Sequence, residues 1–278
     1  MFDLYIAIAN IAFFFGLLAV YLLRSAIVGR RHHARTDADG GSVFLNMRTM
    51  EMVYWILEPI IDFLAALRIT PNMVTLFSLV PAAGAGVALA FGWFGLASVL
   101  AVMATFCDIL DGLLARKTGV SSSGGEVIDA AVDRYGEFFL LGGLVYYYRT
   151  HDQVLFIVLA AIIGSFMVSY ATAKAEAMGV AAPRGAMRRG ERAAYLIFGA
   201  AFTPVSKALF AHSASLALHE CPIILTLTII AVVSNISVVQ RLGAIMEALR
   251  TKEKAPAATT AEAPEPMGSK PDASAGHV

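Results

Sequence analysis

The apolar residues of this 278-residue chain come in runs about as long as a bilayer is thick, and nothing else in the sequence constrains the fold as strongly. A helix needs about 20 apolar residues to cross the hydrocarbon core. Seven segments meet that length: 4–23, 73–93, 97–115, 127–148, 154–173, 192–211 and 223–240. Hydrocarbon offers no partner to a free N–H or C=O, so each span must be helical. Together they use about half the chain, which leaves too little for a separate soluble catalytic domain. Only 15% of residues are charged, against the usual share of about 25%. This excludes a disordered chain and argues against an ordinary soluble domain. The reading is an all-α integral membrane protein, a six-helix transmembrane core with one extra N-terminal transmembrane helix. Any chemistry must be built on membrane helices.

Lys plus Arg and Asp plus Glu each number 21, so the net charge is zero and no nucleic-acid partner is indicated. The basic residues are nevertheless sorted. Eighteen of the 21 fall in 24–68, at Arg116 and Lys117, between Lys174 and Arg192, and from Arg241 onward. The intervening connections hold only Arg149, while Arg134 and Lys207 fall inside spans. By the positive-inside rule the basic side is cytoplasmic. The N-terminus is then outside and the C-terminus inside a multi-pass protein of the cell (inner) membrane. The first span lacks a basic leader and a small-residue cleavage site, so it reads as an uncleaved anchor rather than a signal peptide. Cys107 and Cys221 make no disulfide framework, and the six histidines make no plausible metal set.

Four segments follow. Residues 1–43 are an anchor and basic linker, 44–68 a cytoplasmic amphipathic helix, 69–250 the membrane domain, and 251–278 an Ala- and Pro-rich disordered tail. In the second, Arg48, Glu51, Glu58 and Asp62 recur at helical steps and share one face. Two readings stand for it: a helix lying in the interface, or one packed on the bundle.

Six of the acidic residues occupy two neighbouring spans and their short link: Asp108, Asp111, Glu126, Asp129, Asp133 and Glu137. A charged group in a membrane costs at least about 2.5–3.5 kcal/mol and is a functional candidate by default. Asp108 and Asp111 are three apart, and Asp129 and Asp133 four apart, so each pair shares a helix face. The spans are antiparallel, so the pairs converge just inside the cytoplasmic boundary. Four carboxylates there would repel without cations between them. Oxygen-only ligation suits Mg²⁺ or Mn²⁺ rather than zinc, and Mg²⁺ typically bridges carboxylates to phosphates. The sequence therefore predicts a metal-assisted phosphate site open to the cytoplasm.

Residues 108–133 fit the pattern D-x2-D-G-x2-A-R-x8-G-x3-D-x3-D at every fixed position, from Asp108, Asp111, Gly112, Ala115 and Arg116 to Gly125, Asp129 and Asp133. This resembles the signature of the class I CDP-alcohol phosphotransferase (CDP-alcohol phosphatidyltransferase) family. Thr70-Pro71-Asn72 with Thr75 resembles the family's T-P-N-x-x-T entry, and the likeness extends over a core from about 69 to 245. The resemblance implies displacement of CMP from a CDP-linked lipid, commonly CDP-diacylglycerol, by the hydroxyl of a small polar alcohol. It implies two divalent ions on Asp108, Asp111 and Asp129, with Asp133 close to the second and acting as general base. It further implies a CDP pocket drawn from Asn72, Thr75, Asp108, Asp111, Gly112, Ala115, Arg116, Ser122 and Gly125. Gly124 stands where the family often has Phe.

The acceptor is read from a second cluster on the same side, Lys174, Glu176, Arg184, Arg188, Arg189, Glu191 and Arg192. Positive-inside bias explains it as well as an acceptor pocket does. Read as a pocket, its binding residues are Lys174, Arg184 and Arg192. Residues 169–179 resemble the inositol-phosphate branch, which tends to read Y-x-R-A-R-A-E. Here Thr172 and Lys174 replace the two arginines, so inositol phosphate stays open. The glycerophosphate branch's G-K-x-K-T element is missing, and the serine branch matches poorly. Tyr195, Ser206, Lys207, Ser234 and Asn235 are further cavity candidates, the last two also as helix-to-helix hydrogen bonders. A homodimer is kept as a possible assembly. The alternatives are an intramembrane Asp-rich prenyltransferase, which would carry two separate Asp-rich motifs, and a cation-coupled transporter, whose site belongs at mid-membrane.

Overall fold

A computed structural model describes residues 1–28, 47–120, 122–181, 187–213 and 215–254. Within them the chain forms α1 (Phe2–Val28), α2 (Met47–Ala66), α3 (Pro71–Ala90), α4 (Phe94–Thr118), α5 (Ser123–Tyr147), α6 (Asp152–Ala177), α7 (Arg189–Leu209), the single turn α8 (Leu216–His219) and α9 (Cys221–Lys254). No strand occurs among the described residues. Each of the seven apolar runs is a long helix, and the amphipathic segment is α2. Arg184, the basic linker up to residue 46 and the tail from 255 lie outside the described residues.

Local chemistry sets the ends that matter. Pro71 opens α3, where its missing N–H is no loss. Gly119 ends α4 in the left-handed region at φ 67°, a conformation that suits glycine. Ser122 caps α5 by accepting the Gly125 N–H at 3.0 Å. This turn brings the charged ends of α4 and α5 to the same side.

Small residues let the helices approach. α3 packs along both α4 and α5, and α6 along α9. A Cβ on Gly143 would stand 2.1 Å from the Gly86 carbonyl oxygen, so α3 and α5 are in backbone contact there. Asn235 Nδ2 donates to the Ala160 carbonyl at 2.9 Å, tying α9 to α6. Ser234 faces Met187 Sδ. Both belong to helix packing.

Among the described residues, five helices are long and apolar enough to cross a membrane: α1, α3, α4, α6 and α9. The sequence reading took α5 and α7 as spans of the same kind. They are the helices that carry most of the internal charge, and they run between the apolar ones, α5 against α3 and α6 and α7 against α4 and α9. The chain is a multi-pass membrane protein in which these two helices pack among the apolar ones.

Two further expectations change. Glu51 does not share the outer face of α2 with the exposed Glu58 and Asp62; it is buried and accepts the Tyr21 hydroxyl at 2.9 Å. So α2 is packed on the bundle through α1 and α4, while Phe63 stays exposed. Ser206 and Lys207 do not line the cavity. Ser206 donates to the Leu218 carbonyl. Lys207 pairs with Glu220 at 2.8 Å, and Tyr147 and Tyr148 both donate to that buried carboxylate. This cluster sits at the end of the bundle opposite the α4–α5 turn.

Candidate active site

Asp108 and Asp111 leave the last turns of α4, and Asp129 leaves the second turn of α5. One carboxylate oxygen from each lies within 4.8 Å of the others, and all three face the same space. Thr75, one turn into α3, donates to Asp111 at 2.5 Å and so fixes that carboxylate. Asp129 Oδ1 is buried without a hydrogen-bond partner among the described residues. Three carboxylates with an unsatisfied oxygen between them, and no His or Cys, form a donor set that fits a hard divalent cation. Such an ion supplies charge neutralisation on a diphosphate and a template for in-line attack when bound.

Asp133, one turn further along α5, is held by Arg189 Nη1, and Nη2 of the same guanidinium contacts Asp108. Arg189 therefore spans from the cluster to Asp133. Arg134 turns back to the Ala130 carbonyl of its own helix. Glu137 is also accounted for differently from its neighbours. It forms a two-point pair with Arg192 of α7, at 2.5 and 3.0 Å, and both side chains are buried. The six acidic residues thus divide: three converge as a cluster, Asp133 borders it, Glu137 is neutralised, and Glu126 is exposed.

The remaining motif residues frame one end of the cluster. A Cβ on Gly125 would come within 3.1 Å of Asn72 Oδ1 and 3.2 Å of Ser122 Oγ, so these three residues meet. Gly112 and Arg116 line the same cavity as Asp108, Asp111 and Asp129, together with Arg188 and Arg189. Ala115, half-buried, is the small residue one turn before the helix end.

The acceptor candidates do not all converge. Lys174 is exposed on α6. Arg192 is 1% exposed, and its Nη1 has no hydrogen-bond partner among the described residues. Arg241 of α9 lies near it and near Arg188, donating through Nη1 to Thr172 at 2.5 Å while its Nε is buried without a partner. Sequence reasoning gave Arg241 no site role, and it placed Arg188 and Arg189 in the basic cluster without naming them as binding residues. The available signal was position: each stands where an apolar run meets the basic side.

A family model for CDP-alcohol phosphatidyltransferase matches residues 68–233. The chain belongs to that family. It is accordingly a transferase of phospholipid biosynthesis, working on a CDP-linked lipid and an alcohol. It is 30% identical to the phosphatidylinositol phosphate synthase of Cutibacterium acnes over 198 residues, 69% of this chain and 93% of that one. It is 34% identical to the archaetidylinositol phosphate synthase of Pyrococcus horikoshii over 150 residues, 54% of this chain and 78% of that one. The fold is similar to the Mycobacterium tuberculosis phosphatidylinositol phosphate synthase solved with CDP-DAG bound, with a TM-score of 0.58 and 25% identity over 67% of this chain and 92% of that one. The same enzyme solved with manganese and citrate gives 0.59. The prenyltransferase and transporter alternatives fall away with the family assignment.

Proposed function

We propose that the chain transfers a phosphatidyl group from CDP-diacylglycerol, or a closely related CDP-linked lipid, to inositol phosphate. CMP is released to the cytoplasm, at the inner membrane. The observation that carries the acceptor is the pair of buried guanidinium N–H groups, on Arg192 and Arg241, that lack partners among the described residues. Buried donors are nearly always satisfied, so two of them together call for an anion, and a phosphate monoester offers the oxygens. Arg241 on Thr172 also supplies a guanidinium where the inositol-phosphate branch carries its own arginine. Lys174 and Arg184 remain the further acceptor candidates of this reading. The inositol-phosphate products named for several relatives support the same reading.

In this reading Asp108, Asp111 and Asp129 hold two ions, Mg²⁺ or Mn²⁺, with Asp133 beside the second. Asn72, Thr75, Gly112, Ala115, Arg116, Ser122 and Gly125 hold the CDP moiety. Asp133 takes the proton of the acceptor hydroxyl as that oxygen attacks the lipid-side phosphorus and the bond to CMP breaks. Arg189 orients Asp133 and keeps it in register with Asp108. The reading includes a homodimer, checked by native mass spectrometry in detergent.

The test is CMP release from CDP-diacylglycerol by purified protein with Mg²⁺ and a panel of inositol phosphate, inositol, glycerol phosphate and serine. Turnover only with inositol phosphate is expected. Turnover with free inositol at equal efficiency overturns the phosphate pocket, and no CMP with any acceptor overturns the whole reading. Asp133→Asn is expected to abolish turnover while still binding CDP-lipid; unchanged turnover removes the base role.

A further inference from the structure

The N-terminal helix α1 lies outside residues 68–233, which carry the family match, yet it is built into the molecule along its length. Near its start Asp3 Oδ1 accepts the Leu96 N–H at 3.0 Å. A Cβ on Gly95 would stand 2.2 Å from the Asp3 carbonyl oxygen, so the backbones of α1 and α4 touch there. Midway, Asn10 donates to Ser98 at 2.9 Å, and Phe14 meets Phe198 of α7 edge to face at 5.5 Å. Toward its end Tyr21 bonds Glu51, and Arg24 stacks on Trp55 of α2. A bare membrane anchor needs none of these contacts. They fix α1 across the space between α4 and α7.

That space is a cavity of about 620 Å³. One end is polar, formed by Asp108, Asp111, Asp129, Arg116 and Arg188. The rest is mostly apolar, and α1 lines it with Ile11, Phe14 and Leu17, beside Phe106 and Phe198. A continuous cavity with a cation-binding end and an apolar body has the two-part chemistry of a lipid diphosphate. Its head goes to the carboxylates and an acyl chain runs along the apolar part.

We propose that α1 is a donor-specificity element: Ile11, Phe14 and Leu17 form the wall against which one acyl chain of the CDP-lipid lies, and their bulk sets which chains fit. The inference rests on the phosphatidyl-transfer reading and adds to it a determinant outside the family core. Removing the Phe14 ring widens the slot beside Phe198. Enlarging Ile11 narrows it. Hydrophobic pockets discriminate a methylene by only about 10–200-fold at most, so the effects are graded.

The test uses the full chain with CDP-diacylglycerols of short saturated, long saturated and branched acyl chains. Phe14→Ala is expected to shift the ratio of kcat/KM at least threefold toward branched donors, through the donor KM. Ile11→Phe is expected to shift it toward short ones. Wild-type chain preference in both variants overturns the proposal. A second measurement needs no turnover: a CDP-diacylglycerol with a mid-chain diazirine, photolysed on the wild-type protein. Labelled peptides from residues 5–20 are expected, competed away by unlabelled CDP-diacylglycerol. Labelling confined to residues 94–254 overturns the role of α1. Failure of the transfer reading looks different, because no acceptor then yields CMP from any donor.

Discussion

The bundle buries carboxylates at both ends and treats them in opposite ways. At one end Glu220 has each oxygen engaged, by Tyr147, Tyr148 and Lys207. At the other, Asp108, Asp111 and Asp129 crowd like charges within 4.8 Å and leave Asp129 Oδ1 without a partner among the described residues. A fully paired buried charge is stable in itself and has nothing left to offer a ligand. A crowded, under-paired set is costly until a cation arrives. The Glu137–Arg192 pair lies between these cases, with its carboxylate satisfied and one arginine N–H without a partner among the described residues. The difference separates residues that hold the fold from residues proposed to do chemistry more sharply than burial or charge alone.

The comparison can be broken by substitution at each end. Asp111→Asn is expected to give the largest effect, a loss of turnover of about a thousandfold, equivalent to about 4 kcal/mol. Its melting temperature without metal should equal or exceed that of the wild type, because a repulsive charge is gone. A lower melting temperature together with intact CMP release would show that the cluster is structural. Glu220→Ala reverses the pattern. It orphans two tyrosine hydroxyls and Lys207 and is expected to cost about 3 kcal/mol of stability, read by thermal unfolding in detergent, with turnover per folded molecule retained. Titrating Mg²⁺ or Mn²⁺ into the wild type should stabilise it by about 2.7 kcal/mol at a hundredfold excess over Kd. Asp129→Asn should abolish that shift and Glu220→Gln should keep it. The smallest expected effect is that of Thr75→Val. It removes one hydrogen bond to Asp111, worth about 1.5–3 kcal/mol when the acceptor is charged, so turnover should fall about tenfold or more and the melting temperature should fall with it. Equal turnover would show that Asp111 needs no positioning from α3.

Much of the site was legible because its residues are close in sequence. Asp108, Asp111, Asp129 and Asp133 repeat at helical steps on either side of a glycine turn, and local periodicity with antiparallel packing is enough to bring them together. Glu51 and Glu137 were not legible in the same way. Each stands on a polar-looking face, and only the partner across the bundle, Tyr21 for one and Arg192 for the other, turns it inward. Arg241 shows the same limit, lying 69 residues from the Thr172 it bonds. Nothing in local spacing reports which basic residues of a cytoplasmic face meet. The role of α1 was least visible, because a 27-residue apolar helix reads the same whether it faces lipid throughout or walls a cavity.

By itself the sequence determined the membrane class, the long helices and the grouping of Asp108, Asp111 and Asp129, since apolar length and side-chain period act within a single helix or one turn of it. Tertiary structure decided which charges are spent on one another, which arginine N–H groups have no partner among the described residues, and that α1 lines the space leading to the cluster. Those are properties of contacts between helices far apart in the chain, and they exist only once the bundle is packed.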